Sequence, residues 1–179
     1  AMVLGAKLAR EAELDPAPFV YFPLVIHGMD IVASSIGALT ITKRKTGGPM
    51  TILFQGYVVT LVLALFGFTL ACYLMLPAWR YFAACGLLGF ATAFACAHAT
   101  RYYTDYAYEP VQRIAAAATT GHGTVIITGL AVGLESTFLP VVAVSIGIIG
   151  SYQLGKSSGL PEDTAGLFGT AVATMGMLA

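Results

Sequence analysis

Charged residues fall in short clusters along this chain, and long uncharged stretches separate them. Ala1 to Gly5 reads as the tail of a helix, followed by a polar connection holding Lys7, Arg10, Glu11, Glu13, Asp15, Pro16 and Pro18. The pattern then predicts a membrane-spanning helix over residues 21–42 and a loop, Lys43-Arg44-Lys45-Thr46-Gly47-Gly48-Pro49. Residues 50–76 carry no charge and exceed the ~20 residues that cross a bilayer as a helix. Pro77 ends that run, and Trp79, Arg80 and Tyr81 make an aromatic, basic cluster of the kind found at membrane interfaces.

A third span is predicted over residues 82–100, and the stretch from Arg101 to Thr120, with four tyrosines, is predicted as a polar connection. The following apolar run, over residues 122–154, holds one charge, Glu135. With its flanks the run covers about 40 residues, roughly 60 Å of helix, twice a bilayer core. Either its first turns stand outside the bilayer or it breaks near Gly121-His122-Gly123. Gly155 to Asp163 forms the last loop, and residues 164–179 start a fifth span.

Composition agrees: hydrophobic residues make up 58% of the chain, charged residues 10%, and mean hydropathy is +0.81. Soluble domains carry about a quarter charged residues, so the expected class is an all-α, polytopic transmembrane bundle, one helical fragment over residues 1–179 with four full spans. Both ends lie within apolar runs, AMVLG and GMLA, as expected of an internal piece of a longer protein. Zero net charge argues against nucleic acid as a partner. Cys72, Cys85 and Cys96 sit in apolar runs without Cys-x-x-Cys spacing, so packing is their expected role. Five basic residues on the side of Lys43–Lys45, Arg101 and Arg113, against four opposite, favour that side as cytoplasmic.

Two intramembrane acids are the candidate polar residues. Glu135 falls on one helical stripe with Thr124 and Thr128, while His122, Gly129, Gly133, Ser136 and Pro140 lie nearly opposite. It is read either as an ion relay or as a buried packing carboxylate bonded by those threonines, and the packing role is expected. Asp30 shares a face with His27, Ser34 and Gly37, and the simplest expectation is a local His27–Asp30 interaction. Asp105 and Glu109, four apart, could share Mg²⁺ on a helix, but Pro110 disfavours that geometry and predicts a solvated loop pair. His98 and His122 lack partners at metal spacing, and Thr-Gly-His-Gly is a weak anion-binding signal. No catalytic, cofactor-binding or metal-ligating residue is assigned.

Four elements in order resemble one family: Tyr102-Tyr103-Thr104, Pro110-Val111, Thr120-Gly121-His122-Gly123-Thr124, and Gly129-Leu130-Ala131-Val132-Gly133-Leu134-Glu135-Ser136. They are similar to segments of the membrane-integral, ion-pumping inorganic pyrophosphatases. FPLVIHGMDIVASSIG resembles that family's seventh helix, and LFGTAVATMGML the start of its eleventh. Arg101 and Val125 depart from the pattern, where an acid and an asparagine are usual.

The resemblance implies that these are outer-ring helices of an enzyme that hydrolyses diphosphate and pumps H⁺ or Na⁺. It implies Mg²⁺, with ligands outside this chain, K⁺ as a second candidate cofactor, and a homodimer in a bacterial inner or vacuolar-type membrane. The tenth-helix position implied for Glu135 is at the dimer interface, away from the ion gate. The family's aspartate-rich hydrolytic motifs do not occur between Ala1 and Ala179, so the chain alone is expected to be inactive. From another class, a secondary transporter or channel subunit using Asp30 and Glu135 is the alternative, and a purely structural subunit is the third.

Overall fold

In a computed structural model, residues 1–43 and 49–178 are described; Arg44 to Gly48, the heart of the expected basic loop, lie outside them, as does Ala179. The described residues form helices and no strand. In order these are α1 (Met2–Glu11), α2 (Pro16–Lys43), α3 (Pro49–Met75), α4 (Trp79–Thr104), α5 (Glu109–Ala117), α6 (His122–Ser136), α7 (Phe138–Lys156) and α8 (Glu162–Leu178). Four stretches are long and apolar enough to cross a membrane: Pro16–Ile41, Thr51–Met75, Trp79–Ala117 and His122–Lys156. The last two are each made of two helices.

Two compact units divide the described chain, one from residues 1–91 and 147–178, the other from Thr92–Ile146. The first is held by two trios of edge-on aromatic contacts. Phe168 meets Phe82 at 5.2 Å and Phe19 at 5.7 Å between ring centroids. Phe68 meets Phe90 at 5.6 Å and Phe22 at 6.0 Å. Such pairs add about 0.5–1.5 kcal/mol each beyond the area they bury.

Small residues let the helices of this unit approach closely, the usual device where lipid removes the hydrophobic drive between helices. A methyl group added to Gly176 of α8 would lie 2.7 Å from the carbonyl oxygen of Gly86 in α4. One added to Gly169 would lie 2.7 Å from that of Ser151 in α7, and Gly89 and Gly155 are closed off by the backbone of α8 in the same way. Cys85 donates its S–H to the Ser151 carbonyl at 3.5 Å, and Cys72 and Cys85 are fully buried.

The expected polar connection at the start is different in the structure: α1 runs through Lys7 and Arg10 to Glu11. It is amphipathic, burying Leu8 and Ala9 while Lys7 and Glu11 pair at 3.6 Å on its outer face. The turn between α3 and α4 is forced by Pro77, which cannot continue the helical hydrogen bonds, and Ala78 follows with φ of +55°.

In the second unit the expected connection Arg101–Thr120 is mostly helical, since α4 extends to Thr104 and α5 occupies Glu109–Ala117. Pro110 sits in the first turn of α5, where its missing N–H costs nothing. α5 and α6 pack together as a hairpin. Its turn centres on Gly121, whose φ of +140° suits glycine alone. Thr124 secures that turn, with its hydroxyl 2.7 Å from the Thr120 hydroxyl and 2.7 Å from the Gly121 carbonyl. With its flanks, the long apolar run therefore breaks beside Gly121-His122-Gly123, and residues 122–154 break again at Thr137, between α6 and α7.

Candidate functional site

The polar side chains of the second unit gather where α4 ends and α6 passes into α7. α4 carries Tyr102, Tyr103 and Thr104 in its last turn because it outlasts its apolar run by a full turn. Tyr102 lies 5.1 Å from Tyr103 and 5.3 Å from Tyr108 between ring centroids, closing the bend over itself. The Tyr103 hydroxyl donates to Oε1 of Glu135 at 3.5 Å, a long and weak bond that fixes Glu135 beside the last turn of α4.

Asp105 is the best-packed acid here, at 5% exposure, in contrast to the solvated loop position expected of it. One carboxylate oxygen accepts from the Ala107 N–H at 3.2 Å, and the other lies 3.5 Å from Nε of Arg101 one helical turn earlier. Glu109 remains exposed and binds Arg113 at 3.0 Å, again at i,i+4. Arg113 is also within electrostatic reach of Glu135. Asp105 and Glu109 thus each have their own guanidinium partner.

Glu135 is exposed in this chain, and the expected bonds from Thr124 and Thr128 are replaced by the one from Tyr103. The reason is distance along the helix. Thr124 is eleven residues away, about 16 Å of rise, and Thr128 is seven away, about 10 Å. A shared stripe does not make a contact at that range. Tyr103 precedes Glu135 by 32 residues, so no periodicity in the sequence pointed to it.

Asp30 belongs to the first unit. Its Oδ2 is 3.8 Å from Nδ1 of His27, close enough to attract but beyond a hydrogen bond, and that oxygen has no hydrogen-bond partner. Gly37 on the expected face is buried, packed where α2 meets Gly56 of α3, whereas Ser34 is exposed and bonds its own helix at the Ile31 carbonyl. His98 stacks on Phe94 at 6.3 Å, and His122 is exposed at the start of α6.

A Mg²⁺ ion needs oxygen ligands converging from several residues. Among the described residues no three of His, Cys, Asp and Glu gather in that way. The best-packed carboxylate, Asp105, already faces a guanidinium and a backbone N–H. The donor set of the described residues does not fit the ion.

Beside Glu135, a crevice of about 330 Å³ opens between the end of α4 and the start of α7, lined by Thr100, Tyr103, Thr104, Ser136, Thr137, Pro140 and Val141.

Comparison with known proteins gives this geometry its setting. The chain is 46% identical over 196 residues to the pyrophosphate-energized membrane proton pump 3 of Arabidopsis thaliana, covering 99% of this chain and 24% of the relative. It is 43% identical over 187 residues to the K(+)-insensitive pyrophosphate-energized proton pump 2 of Moorella thermoacetica, covering 99% of this chain and 26% of that protein. Pyrophosphate-energized proton pump 2 of Rhizobium leguminosarum bv. trifolii is 36% identical over 170 residues, 88% of this chain and 74% of the relative. The chain thus spans about a quarter of the length of the first two. With four spanning stretches, it is a multi-pass integral membrane protein. Its match to the family described as inorganic H+ pyrophosphatase extends over residues 1–179, and the chain belongs to that family.

Proposed function

We propose that this chain is part of a membrane-bound inorganic pyrophosphatase that couples diphosphate hydrolysis to the movement of H⁺ or Na⁺. The observation that carries the reading is the family match across the whole chain, with no segment left to another architecture. Within such a pump these helices act as a brace: the glycine-lined contacts of α4, α7 and α8 make a close-packed wall, and Asp105 and Glu109 are tied to local arginines. The Mg²⁺ that diphosphate chemistry calls for, and any K⁺, would be held by segments beyond these residues. A homodimer in a bacterial inner membrane completes the reading.

On this reading Asp30 and Glu135 are polar packing groups rather than pumped-ion ligands, Glu135 because it already accepts from Tyr103. The test is the full-length parent in sealed vesicles. Addition of diphosphate with Mg²⁺ should release phosphate and set up an ion gradient, read by a ΔpH dye or by ²²Na⁺ uptake. Phosphate release should be absent from the 179-residue chain alone. A full-length parent that neither hydrolyses diphosphate nor moves an ion sinks the proposal.

A further inference from the structure

The crevice beside Glu135 has a hydrogen-bonding character that its residue types alone would not give. Each serine or threonine hydroxyl has one hydrogen to donate and two lone pairs. Here every such hydrogen is committed to the helix that carries it. Thr100 donates to the Cys96 carbonyl at 2.9 Å, Thr104 to Thr100 at 2.6 Å, Ser136 to Gly133 at 2.7 Å and Thr137 to Leu134 at 2.8 Å. Tyr103 donates to Glu135 at 3.5 Å. Four serine and threonine oxygens therefore line the crevice as acceptors whose hydrogens are taken by their own helices, and the Tyr103 oxygen, its hydrogen turned toward Glu135, adds a fifth.

Charge points the same way. Between Thr92 and Ile146 there are three acids, Asp105, Glu109 and Glu135, against two arginines, Arg101 and Arg113, which leaves one net negative charge. A phosphate or carboxylate guest would meet lone pairs and repulsion. A guest rich in N–H donors would meet neither. Pro140 and Val141 add an apolar wall beside the oxygens, suited to methylene groups next to a charged head.

Depth narrows the guest further. Trp79, at the start of α4, is an interfacial residue type, and Thr100 lies 21 residues further along that helix, about 32 Å away. The hydrocarbon core is about 30 Å thick, so Thr100 to Thr104 reaches the headgroup level of the opposite leaflet.

We propose that this crevice binds a primary ammonium group, of the kind carried by an ethanolamine lipid headgroup or by a small free amine. A trimethylammonium group has no N–H and would call for an aromatic cage instead of lone pairs. The inference is independent of the pumping reading.

The purified 179-residue chain is released from nanodiscs holding equal amounts of ethanolamine and choline lipids with the same acyl chains, and retained lipid is counted by native mass spectrometry. Ethanolamine lipid should be retained about tenfold over choline lipid, since a hydrogen bond to a charged group is worth about that factor. Thr104→Val, which keeps the shape and removes the acceptor, should abolish the preference, and Thr104→Ser should restore it, with circular dichroism confirming equal helix content. In a second arm, soluble ethanolamine is titrated in parallel with tetramethylammonium and with K⁺ while thermal unfolding is followed. Stabilisation by soluble ethanolamine, without any lipid preference, supports the same chemistry with a free amine as its source. Equal retention of both lipids with no effect of soluble amine overturns the proposal. So does an ethanolamine preference that survives Thr104→Val, or equal stabilisation by K⁺ and ethanolamine.

Discussion

Replacing Asp105 by alanine removes a carboxylate that closes the bend between α4 and α5 in two directions. The side chain is 5% exposed, accepts from the Ala107 N–H at 3.2 Å, and sits 3.5 Å from the Arg101 guanidinium. The Ala107 N–H is only part-buried, so leaving it without its acceptor costs nearer the lower end of the range for a buried donor, about 1–3 kcal/mol. Removing one partner of a fully buried ion pair costs about 3–5 kcal/mol, but the Arg101 side chain keeps 21% exposure, so water recovers much of that. The expected loss is about 2–3 kcal/mol. Asp105→Asn keeps an oxygen for Ala107 and gives up only the charge, so its loss should be about 1 kcal/mol. For a chain of this size these correspond to a fall in melting temperature of roughly 4–12 °C for alanine and half that or less for asparagine. Circular dichroism melts of the chain in mild detergent, with urea titrations at constant detergent, measure both. If Asp105→Ala melts with the parent sequence, or Asp105→Asn is as costly as alanine, the two-way closure described for this bend is wrong.

Other expectations concern packing and sidedness. Gly176→Val should destabilise the chain by about 1–3 kcal/mol through contact with the Gly86 backbone, while Gly129→Ala, which meets open space, should leave it unchanged or slightly more stable; equal effects at the two positions would refute the close α4–α8 approach. Maleimide should modify Cys96 in the folded chain well before the fully buried Cys72 and Cys85, and equal rates for the three would contradict their burial. Single cysteines at Tyr106 and Ser158, in a background without the native three, should react with impermeant reagent from opposite sides of a sealed vesicle; reaction from one side at both would overturn the order of spans.

The membrane class was legible because uncharged stretches as long as Met50–Leu76 leave a soluble chain nowhere to put them. What the pattern hid was helix in polar dress. Lys7, Arg10 and Glu11 read as a connection when counted by charge, yet Gly5, Leu8 and Ala9 form the buried side of α1. The same holds for the end of α4 and for α5, whose signals lay in pair spacing: Arg101–Asp105 at the first and Glu109–Arg113 in the second are both i,i+4 and both form ion pairs. Weighing Asp105 with Glu109 as a metal pair passed over the cation one turn away from each. Tyr103 and Glu135 left no comparable trace, because 32 residues and a helical hairpin separate them and only the turn at Gly121 brings them together.

That pairing changes where Glu135 is expected to lie. A carboxylate at the bilayer centre costs about 2.5–3.5 kcal/mol on insertion scales, and a 35-residue stretch read as one span would put it well inside. α7 alone, Phe138–Lys156, has 19 residues and a length of about 28 Å, enough to cross the hydrocarbon core by itself. α6 is then expected to stand beyond the bilayer edge as half of a hairpin with α5, which would put Glu135, beside Tyr103, at the boundary. A nitroxide introduced by Glu135→Cys should report interfacial depth from its relative accessibility to oxygen and to a polar nickel complex. A second label at Ile126 should lie further into the aqueous side, despite its apolar type. At such a boundary Glu135→Leu removes one long hydrogen bond and little else, so it should cost about 1 kcal/mol or less. Glu135→Gln in the full-length parent should leave any diphosphate-driven gradient intact. A midplane oxygen profile at position 135, or normal hydrolysis with no gradient in Glu135→Gln, would return this carboxylate to the interior and to the ion path.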